Sequence, residues 1–202
     1  MSPRRLYEEE LKQLQESVEE MGMGVRATYA RLFSALQQQK ESVIEEIIAS
    51  DQSTHTLQRR IEGSCLNLIT KQQPIARDLR QVSASLKVVT DISRIGDQCS
   101  DIAELVKRMH FKDLQEFSAH IPQMIEETGK QLTEAINAFV DRNAESAQHV
   151  VAGDDTVDDL FNQVKNDVIA HLRSEAKDPD DCIDVMMFAK YLEKIGDHAV
   201  NI

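Results

Sequence analysis

The 202-residue sequence has no tryptophan, few other aromatic residues, and only 7 glycines and 4 prolines. Glycine and proline mark turns, so their scarcity argues against a sheet of short strands and favours long helices. Leucine, isoleucine, valine, alanine and methionine supply the apolar side chains. The composition therefore predicts an all-α protein.

The sequence also lacks an excess of positive charge and any long apolar run. Its formal net charge is −12. Because phosphate backbones are bound by basic surfaces, we expect no nucleic-acid partner. No apolar stretch approaches the ~20 residues that span a bilayer, and the N-terminus continues into a charged helix without the apolar core of a signal peptide. These absences predict a cytoplasmic protein without a transmembrane segment.

Cysteine is scarce as well. The three cysteines are an odd number and show no CxxC spacing, so they give no sign of a cysteine motif. Cys65 and Cys99 fall on apolar helix positions, and we expect them to be small core residues.

Apolar residues at three- and four-residue steps predict six helices. Three lie in the first half, at about Leu6–Gln39, Glu41–Lys71 and Pro74–His110. After a joint at Phe111–Ser118, three more are expected at about Ile121–Val140, Ala144–Ser174 and Pro179–Ile202. Helices of this length with short connections form antiparallel bundles. We predict two tandem antiparallel three-helix bundles, residues 1–112 and 113–202. The second bundle ends inside its last motif, either because a tail is missing or because the protein is short.

One motif occurs in both halves. The first half contains Arg94-Ile-Gly-Asp97 and the second contains Lys194-Ile-Gly-Asp197. A repeat displaced by 100 residues indicates two copies of one unit. Polar residues recur at i, i+4 around each copy, which places Asp97 with Asp101 and Glu193 with Asp197 on one helix face. The repeated glycines, Gly96 and Gly196, are expected to let neighbouring helices approach closely.

The helix before each motif carries a second pair of polar residues at the same spacing. In the second half, Asp154 and Asp158 interrupt an otherwise apolar stripe, and in the first half Asp51 and His55 do so. Partly burying unpaired carboxylates would cost several kcal/mol, on the order of a lost ion pair. A bound cation removes that cost and uses the same residues as ligands. We therefore expect each pair to face the motif helix across the seam of its bundle.

The alternative is that these acidic pairs are ordinary surface charges that bind no metal. Carboxylates at i, i+4 are common on charged helices, where most are solvated. Their recurrence in both halves beside a glycine favours the metal site. Asp91 lies on another face of its helix and is expected to be solvated, and His198 is expected to point away from the ligands.

At these residues the sequence resembles the PhoU family of phosphate-uptake regulators. The segment that resembles the family most specifically is Cys65–Arg80, which contains Lys71-Gln-Gln-Pro74, and the two Ile-Gly-Asp motifs resemble it as well. Members of that family are similar tandem three-helix bundles whose acidic motifs bind multinuclear iron or other transition metals. The resemblance implies a cofactor of iron, zinc, manganese or nickel.

The resemblance also implies which residues hold that metal. In the second half the matching ligands are Asp154, Asp158, Glu193 and Asp197, with Asn201 as a weaker one. In the first half Asp51, His55 and Asp97 occupy the matching places, with Ser93 as a weaker ligand, and the i, i+4 spacing to Asp97 adds Asp101 as a candidate. Ser93 stands where the family usually has Glu, and His55 stands where it has a carboxylate or amide. Because an imidazole shifts metal preference, we expect the two sites to differ.

The function that the resemblance implies is negative control of phosphate uptake and of the phosphate-starvation response. Family members act at the cytoplasmic face of the membrane. The implied partners are the ATPase subunit of the phosphate ABC transporter, a phosphate-sensing histidine kinase and a second copy of the chain. The sequence has no P-loop, nucleophile elbow or glycine-rich dinucleotide turn, which agrees with a regulator rather than an enzyme.

Two other functions stay open. Carboxylate-rich bundles also house di-iron and di-manganese oxidation chemistry, although the Glu-x-x-His motifs of such sites are missing from the motif helices. A metal-free helical scaffold with chance acidic patches is the other alternative.

Overall fold

The computed structural model of the chain describes residues 3–109, 111–174 and 177–202, and within them all side chains except those of residues 3, 4, 51 and 111–113. All regular secondary structure in these ranges is α-helical, which confirms the predicted fold class. The described helices are α1 (Pro3–Gln37), α2 (Glu41–Gln72), α3 (Ala76–Val106), α4 (Phe111–Phe117), α5 (Ile121–Asp141), α6 (Ala144–Ala152), α7 (Asp154–Ser174) and α8 (Pro179–Asn201).

The turn between α2 and α3 differs from the prediction. Gln73 adopts a left-handed conformation with φ 46° and closes α2 through its N–H, which donates to the Ile69 carbonyl. Ile75 is extended, and α3 starts only at Ala76. Placing Pro74 in the first turn of α3 was therefore wrong, because the cap and the extended residue occupy the connection.

The structure also differs from the prediction at the joint and in the fifth helix. The joint contains the short helix α4, so the predicted boundary between residues 112 and 113 falls inside a helix. The fifth helix is divided at Gly153 into α6 and α7. Glycine is a poor helix former, and the acidic residues after it suit the start of a new helix. Asn143 caps α6, since its side chain accepts hydrogen bonds from the N–H groups of Glu145 and Ser146 at 3.1 Å.

Helices α1 to α3 pack as one bundle and α5 to α8 as another, and one hydrophobic cluster runs through both. Helix α1 packs on α5, and α3 packs on α8, so the halves share their core. Cys65 and Cys99 are fully buried in that core, as predicted. None of the described helices combines the length and apolar character that crossing a membrane requires.

Helices α3 and α8, which carry the two Ile-Gly-Asp motifs, run antiparallel against each other. His198 near the end of α8 places its Nδ1 2.9 Å from Asp91 Oδ1, and the Asn201 amide donates to the same oxygen at 3.3 Å. The Asp91 side chain is only 20% exposed. The expectation that Asp91 is solvated was wrong, because sequence spacing gives a helix face but not the helix that covers it.

Gly129 of α5 provides a test of the contact between the two halves. A Cβ at this position would lie 2.9 Å from Tyr29 Cε1 of α1. The Tyr29 ring is buried, and its hydroxyl donates to the Ile125 carbonyl at 2.7 Å, so it has little room to move. We predict that Gly129→Ala lowers the free energy of unfolding by about 1–3 kcal/mol, the cost of overpacking a core.

Gly24 of α1 is the matched control for this substitution. It also lies inside a helix, but a Cβ there would meet no atom within 4 Å. Gly24→Ala should therefore raise the free energy of unfolding by about 1 kcal/mol through helix propensity alone. Urea unfolding of both variants measures the difference. Equal stabilisation by the two would contradict the packing of α1 against α5.

Candidate metal centre

Three carboxylates of the second half converge between α7 and α8. Asp158 projects from α7, and Glu193 and Asp197 project from successive turns of α8. One oxygen of each lies within 4.8 Å of an oxygen of the other two. Asp158 is exposed and the other two are partly buried. The predicted i, i+4 pair of α8 therefore does face the preceding helix.

Gly196 lets α8 approach α7 at this point. A Cβ on Gly196 would lie 3.3 Å from Val157 Cγ1 of α7, and a Cβ on Gly96 would lie 3.3 Å from Thr54 Cγ2 of α2. Each of these contacts is adjacent to the acidic pairs of its half. The two halves therefore repeat the same close crossing, and the crossing brings the side chains of the two helices within reach of a common ion.

Asp154 starts α7 and is held by a residue from a third helix. Its Oδ1 accepts a hydrogen bond from Gln131 Nε2 of α5 at 3.3 Å. Asp154 is also one of the carboxylates that raise the pKa of Asp158. It therefore lies beside the cluster, although it is not one of the three residues whose oxygens come within 4.8 Å.

Two lysines of α8 balance the charge of the cluster. Lys190 Nζ lies 2.6 Å from Glu193 Oε2, and Lys194 bonds to Asp197 and lies 3.4 Å from the same Glu193 oxygen. The hydrogen bond with Asp197, followed by the charge of Glu193, raises the pKa of Lys194. Glu193 Oε2 is buried from solvent. The two ammonium groups therefore compensate the charge of this oxygen.

Asp158 is the acid of the cluster whose ionisation its surroundings disfavour. Desolvation, and then the charges of Asp154, Glu193 and Asp197, raise the pKa of Asp158. A carboxylate next to like charges resists ionisation, and a cation at the same place would reverse that effect.

The first half brings together His55, Ser93 and Asp97. His55 Nδ1 lies 3.2 Å from Ser93 Oγ, and its Nε2 lies 3.0 Å from Asp97 Oδ1. Arg94 Nη1 donates to the other Asp97 oxygen at 3.2 Å. Asp97 Oδ1 is buried and accepts no well-formed hydrogen bond within the described part of the chain. Here an imidazole stands between the two residues that match Glu193 and Asp197.

Two of the other predicted ligands, Asp101 and Asn201, differ in whether they face these centres. Asp101 lines the same polar recess, of about 380 Å³, as His55 and Asp97. Asn201 is directed elsewhere, because its amide donates to Asp91 across the α3–α8 contact. The Asp51 side chain lies outside the described residues.

Two contributors to the second cluster were missed by the sequence analysis. Lys190 stands one helical turn before Glu193, and i, i+3 spacing of opposite charges gave a signal for it. Gln131 gave a weaker signal, as a polar residue among the apolar positions of α5. Its contact with Asp154 depends on how α5 and α7 are rotated about their axes, which periodicity does not determine.

The donor sets determine what each centre can bind. Carboxylate oxygens in the second half suit magnesium, manganese or ferric iron, whereas the imidazole in the first half favours zinc, nickel or ferrous iron. Ser93, His55 and Asp97 are also the residue types of a hydrolase triad. However, Ser93 lies inside α3 and is only 2% exposed, so a substrate carbonyl has no approach to its hydroxyl.

The chain matches known proteins over almost its whole length. The family model described as the PhoU domain matches residues 18–106 and 121–202. A phosphate-specific transport system accessory protein PhoU homolog of Clostridium acetobutylicum is 30% identical over 200 residues, which are 98% of this chain and 91% of that protein. PhoU homolog 1 of Methanothermobacter thermautotrophicus is 29% identical over 208 residues, 99% of this chain and 92% of the relative.

Two solved structures share the fold. The phosphate transport system regulatory protein PhoU of Streptococcus pneumoniae superposes with a TM-score of 0.87 at 23% identity, covering 96% of this chain and 92% of that one. PhoU of Pseudomonas aeruginosa gives 0.87 at 24% identity, covering 96% and 94%.

The raised pKa of Asp158 gives a prediction for metal-free protein. Because the folded chain holds this proton more tightly than the unfolded chain, ionised Asp158 destabilises the fold at neutral pH. That effect is lost as the pH falls through the raised pKa of Asp158 to below the usual carboxyl pKa of 3.8. We predict that Asp158→Asn raises the Tm of chelator-treated protein at pH 7 by roughly 1–2 °C, since relief of one exposed like-charge contact is worth about 0.5 kcal/mol. The gain should shrink toward pH 4.

Asp159, an exposed neighbour on α7, serves as the control for the loss of one negative charge. Thermal unfolding between pH 4 and 7 measures both variants. An Asp158→Asn effect that matches Asp159→Asn at every pH would contradict the electrostatic description of the cluster.

Proposed function

The chain belongs to the PhoU family, and on that basis we propose that it restrains phosphate uptake and the phosphate-starvation response when phosphate is plentiful. The observation that carries this proposal is the match of the PhoU domain to both halves. Curated relatives that match nearly the whole chain are named as accessory proteins of the phosphate-specific transport system, which supports the same role. The protein is thus a phosphate-transport accessory and regulatory protein.

We further propose that the second half holds a transition-metal ion, or more than one, on Asp154, Asp158, Glu193 and Asp197. Support comes from the convergence of three of these carboxylates within 4.8 Å. A bound cation would offset the repulsion that raises the pKa of Asp158 and would connect α7 to α8. Through that ion, the carboxylates of α7 and α8 would hold the two helices in one relative position.

In the first half we propose that Asp97 and His55 hold a second metal, with Ser93, Asp51 and Asp101 as additional ligands. The distance of 3.0 Å between His55 Nε2 and Asp97 Oδ1 supports a common site. Its imidazole makes this site softer than the second one, so the two differ in metal preference. Iron, zinc, manganese and nickel are the candidate ions.

Regulation would occur through protein contacts. We propose that the chain acts in the cytoplasm at the membrane face, as a homodimer, on the ATPase subunit of the phosphate transporter and on a phosphate-sensing histidine kinase. The naming of relatives as accessory proteins supports this placement. The absence of any membrane-crossing helix among the described residues is compatible with it.

The same carboxylates would also suit an oxidation enzyme, and a scaffold would need no metal. Elemental analysis of protein purified without added metal separates the scaffold from the other two. A metalloenzyme would consume oxygen with a reductant in the metal-loaded state, whereas a regulator would not. The inaccessibility of Ser93 argues against hydrolysis at the first centre.

The regulatory function is tested by deleting the gene. We predict that the deletion strain accumulates phosphate and expresses starvation genes in phosphate-rich medium, and that the parent gene restores repression. Complementation with Asp159→Ala should succeed, because this exposed carboxylate lies outside the cluster. Unchanged phosphate uptake and reporter output in the deletion strain would refute the regulatory role.

The metal assignment is tested by metal content. We predict that Glu193→Gln and Asp158→Ala lower the bound metal per chain by about half or more, and that Asp159→Ala leaves it unchanged. His55→Ala should remove a separate fraction, and the Glu193→Gln, His55→Ala double variant should retain almost none. Mass spectrometry of the bound metals, with circular dichroism to confirm folding, provides the measurement. Full metal content in the double variant would show that the centres are assigned incorrectly.

A further inference from the structure

Gln131 of α5 is the most deeply buried polar side chain in contact with the second cluster. The residue is only 7% exposed. Its Nε2 donates to Asp154 Oδ1 at 3.3 Å and also lies 3.5 Å from the Val150 carbonyl. Both of these partners lie on the α7 side of the bundle, at the end of α6 and the start of α7.

The other end of the same amide points at α8. A Cβ on Gly196 would lie 2.9 Å from Gln131 Oε1, so the glycine provides the room for this oxygen. Gly196 lies between the two ligands of α8, Glu193 and Asp197. Gln131 thus contacts α7 and α8 at the point where each one contributes carboxylates.

Gln131 Oε1 is buried and accepts no hydrogen bond from any described residue. Leaving a buried acceptor unpaired destabilises a fold, so packing alone would be better served by an apolar side chain of similar size. The neutral amide also satisfies the requirement of the site, because it donates to one carboxylate without neutralising it. A lysine at this place would instead compete with a bound cation.

We propose that Gln131 is a positioning residue of the second-half metal centre. Its N–H group holds Asp154 toward the cluster, and its carbonyl oxygen supplies a neutral acceptor to the ligand shell of the ion. Outer residues that orient metal ligands in this way typically change metal affinity by about 10–100-fold when they are replaced. The inference rests on the proposed metal centre.

The test replaces Gln131 by leucine, which removes both polar ends with little change in volume. Metal-free full-length protein is titrated with Mn²⁺, and free Mn²⁺ is measured by its electron paramagnetic resonance signal. We expect Gln131→Leu to weaken Mn²⁺ binding at least tenfold while the Tm of the metal-free protein stays equal or rises. Gln131→Met, which keeps the unbranched shape, should behave in the same way and replaces the leucine variant if that one misfolds.

Gln123, an exposed glutamine on the same helix, provides the control. Gln123→Leu should leave both Mn²⁺ affinity and Tm unchanged. A Gln131 variant with lower Tm and unchanged affinity would show a merely structural role and overturn the inference, while the metal centre itself would stand. If the parent protein binds no Mn²⁺, the metal centre and the inference about Gln131 both fall.

Discussion

The packing of α3 against α8 is the constraint on which the rest of the structure depends. Each of these helices carries an Ile-Gly-Asp motif, and each must contact both its own bundle and the other motif helix. Fully buried Ile95 and Ile195 belong to the shared core. Because one face of each helix packs on the other half, Asp97 of α3 and the pair Glu193 and Asp197 of α8 lie on the face that meets the preceding helix of their own bundle. The position of both candidate centres follows from that restriction.

The negative charges of the two candidate centres are compensated by different kinds of side chain. In the second half the counter-charges are Lys190 and Lys194, which belong to the same helix as the acids and reach them from its exposed side. In the first half His55 from α2 stands among the ligands themselves, assisted by Arg94. Flexible ammonium groups can withdraw into solvent when an ion arrives. The His55 imidazole instead lies between Ser93 and Asp97, so under the proposed metal binding it would itself be a ligand.

Much of the fold could be predicted from the sequence, because helix periodicity and the 100-residue repeat are local or repetitive signals. The convergence of Asp158 with Glu193 and Asp197 could be predicted as well, from i, i+4 spacing on antiparallel neighbours. Spacing could not predict which carboxylate meets the other half, and Asp91 was therefore assigned to solvent instead of to His198. Gln131 was missed for the same reason, since the rotation of three packed helices determines its partners. The break at Gly153 was missed because one glycine within a long periodic stretch is ordinarily tolerated.

That break determines the electrostatic setting of the second centre. In an uninterrupted helix from residue 144 to 174, the peptide N–H groups near residue 154 would all donate to carbonyl groups one turn earlier. Ending α6 at Ala152 and starting α7 at Asp154 instead gives α7 its own positive dipole end, where Asp154 and Asp155 lie in the first turn. This partial positive charge attracts the negative side chains at the start of α7 and would repel a cation. The interruption therefore lets the backbone itself compensate part of the negative charge that the chain concentrates between α7 and α8.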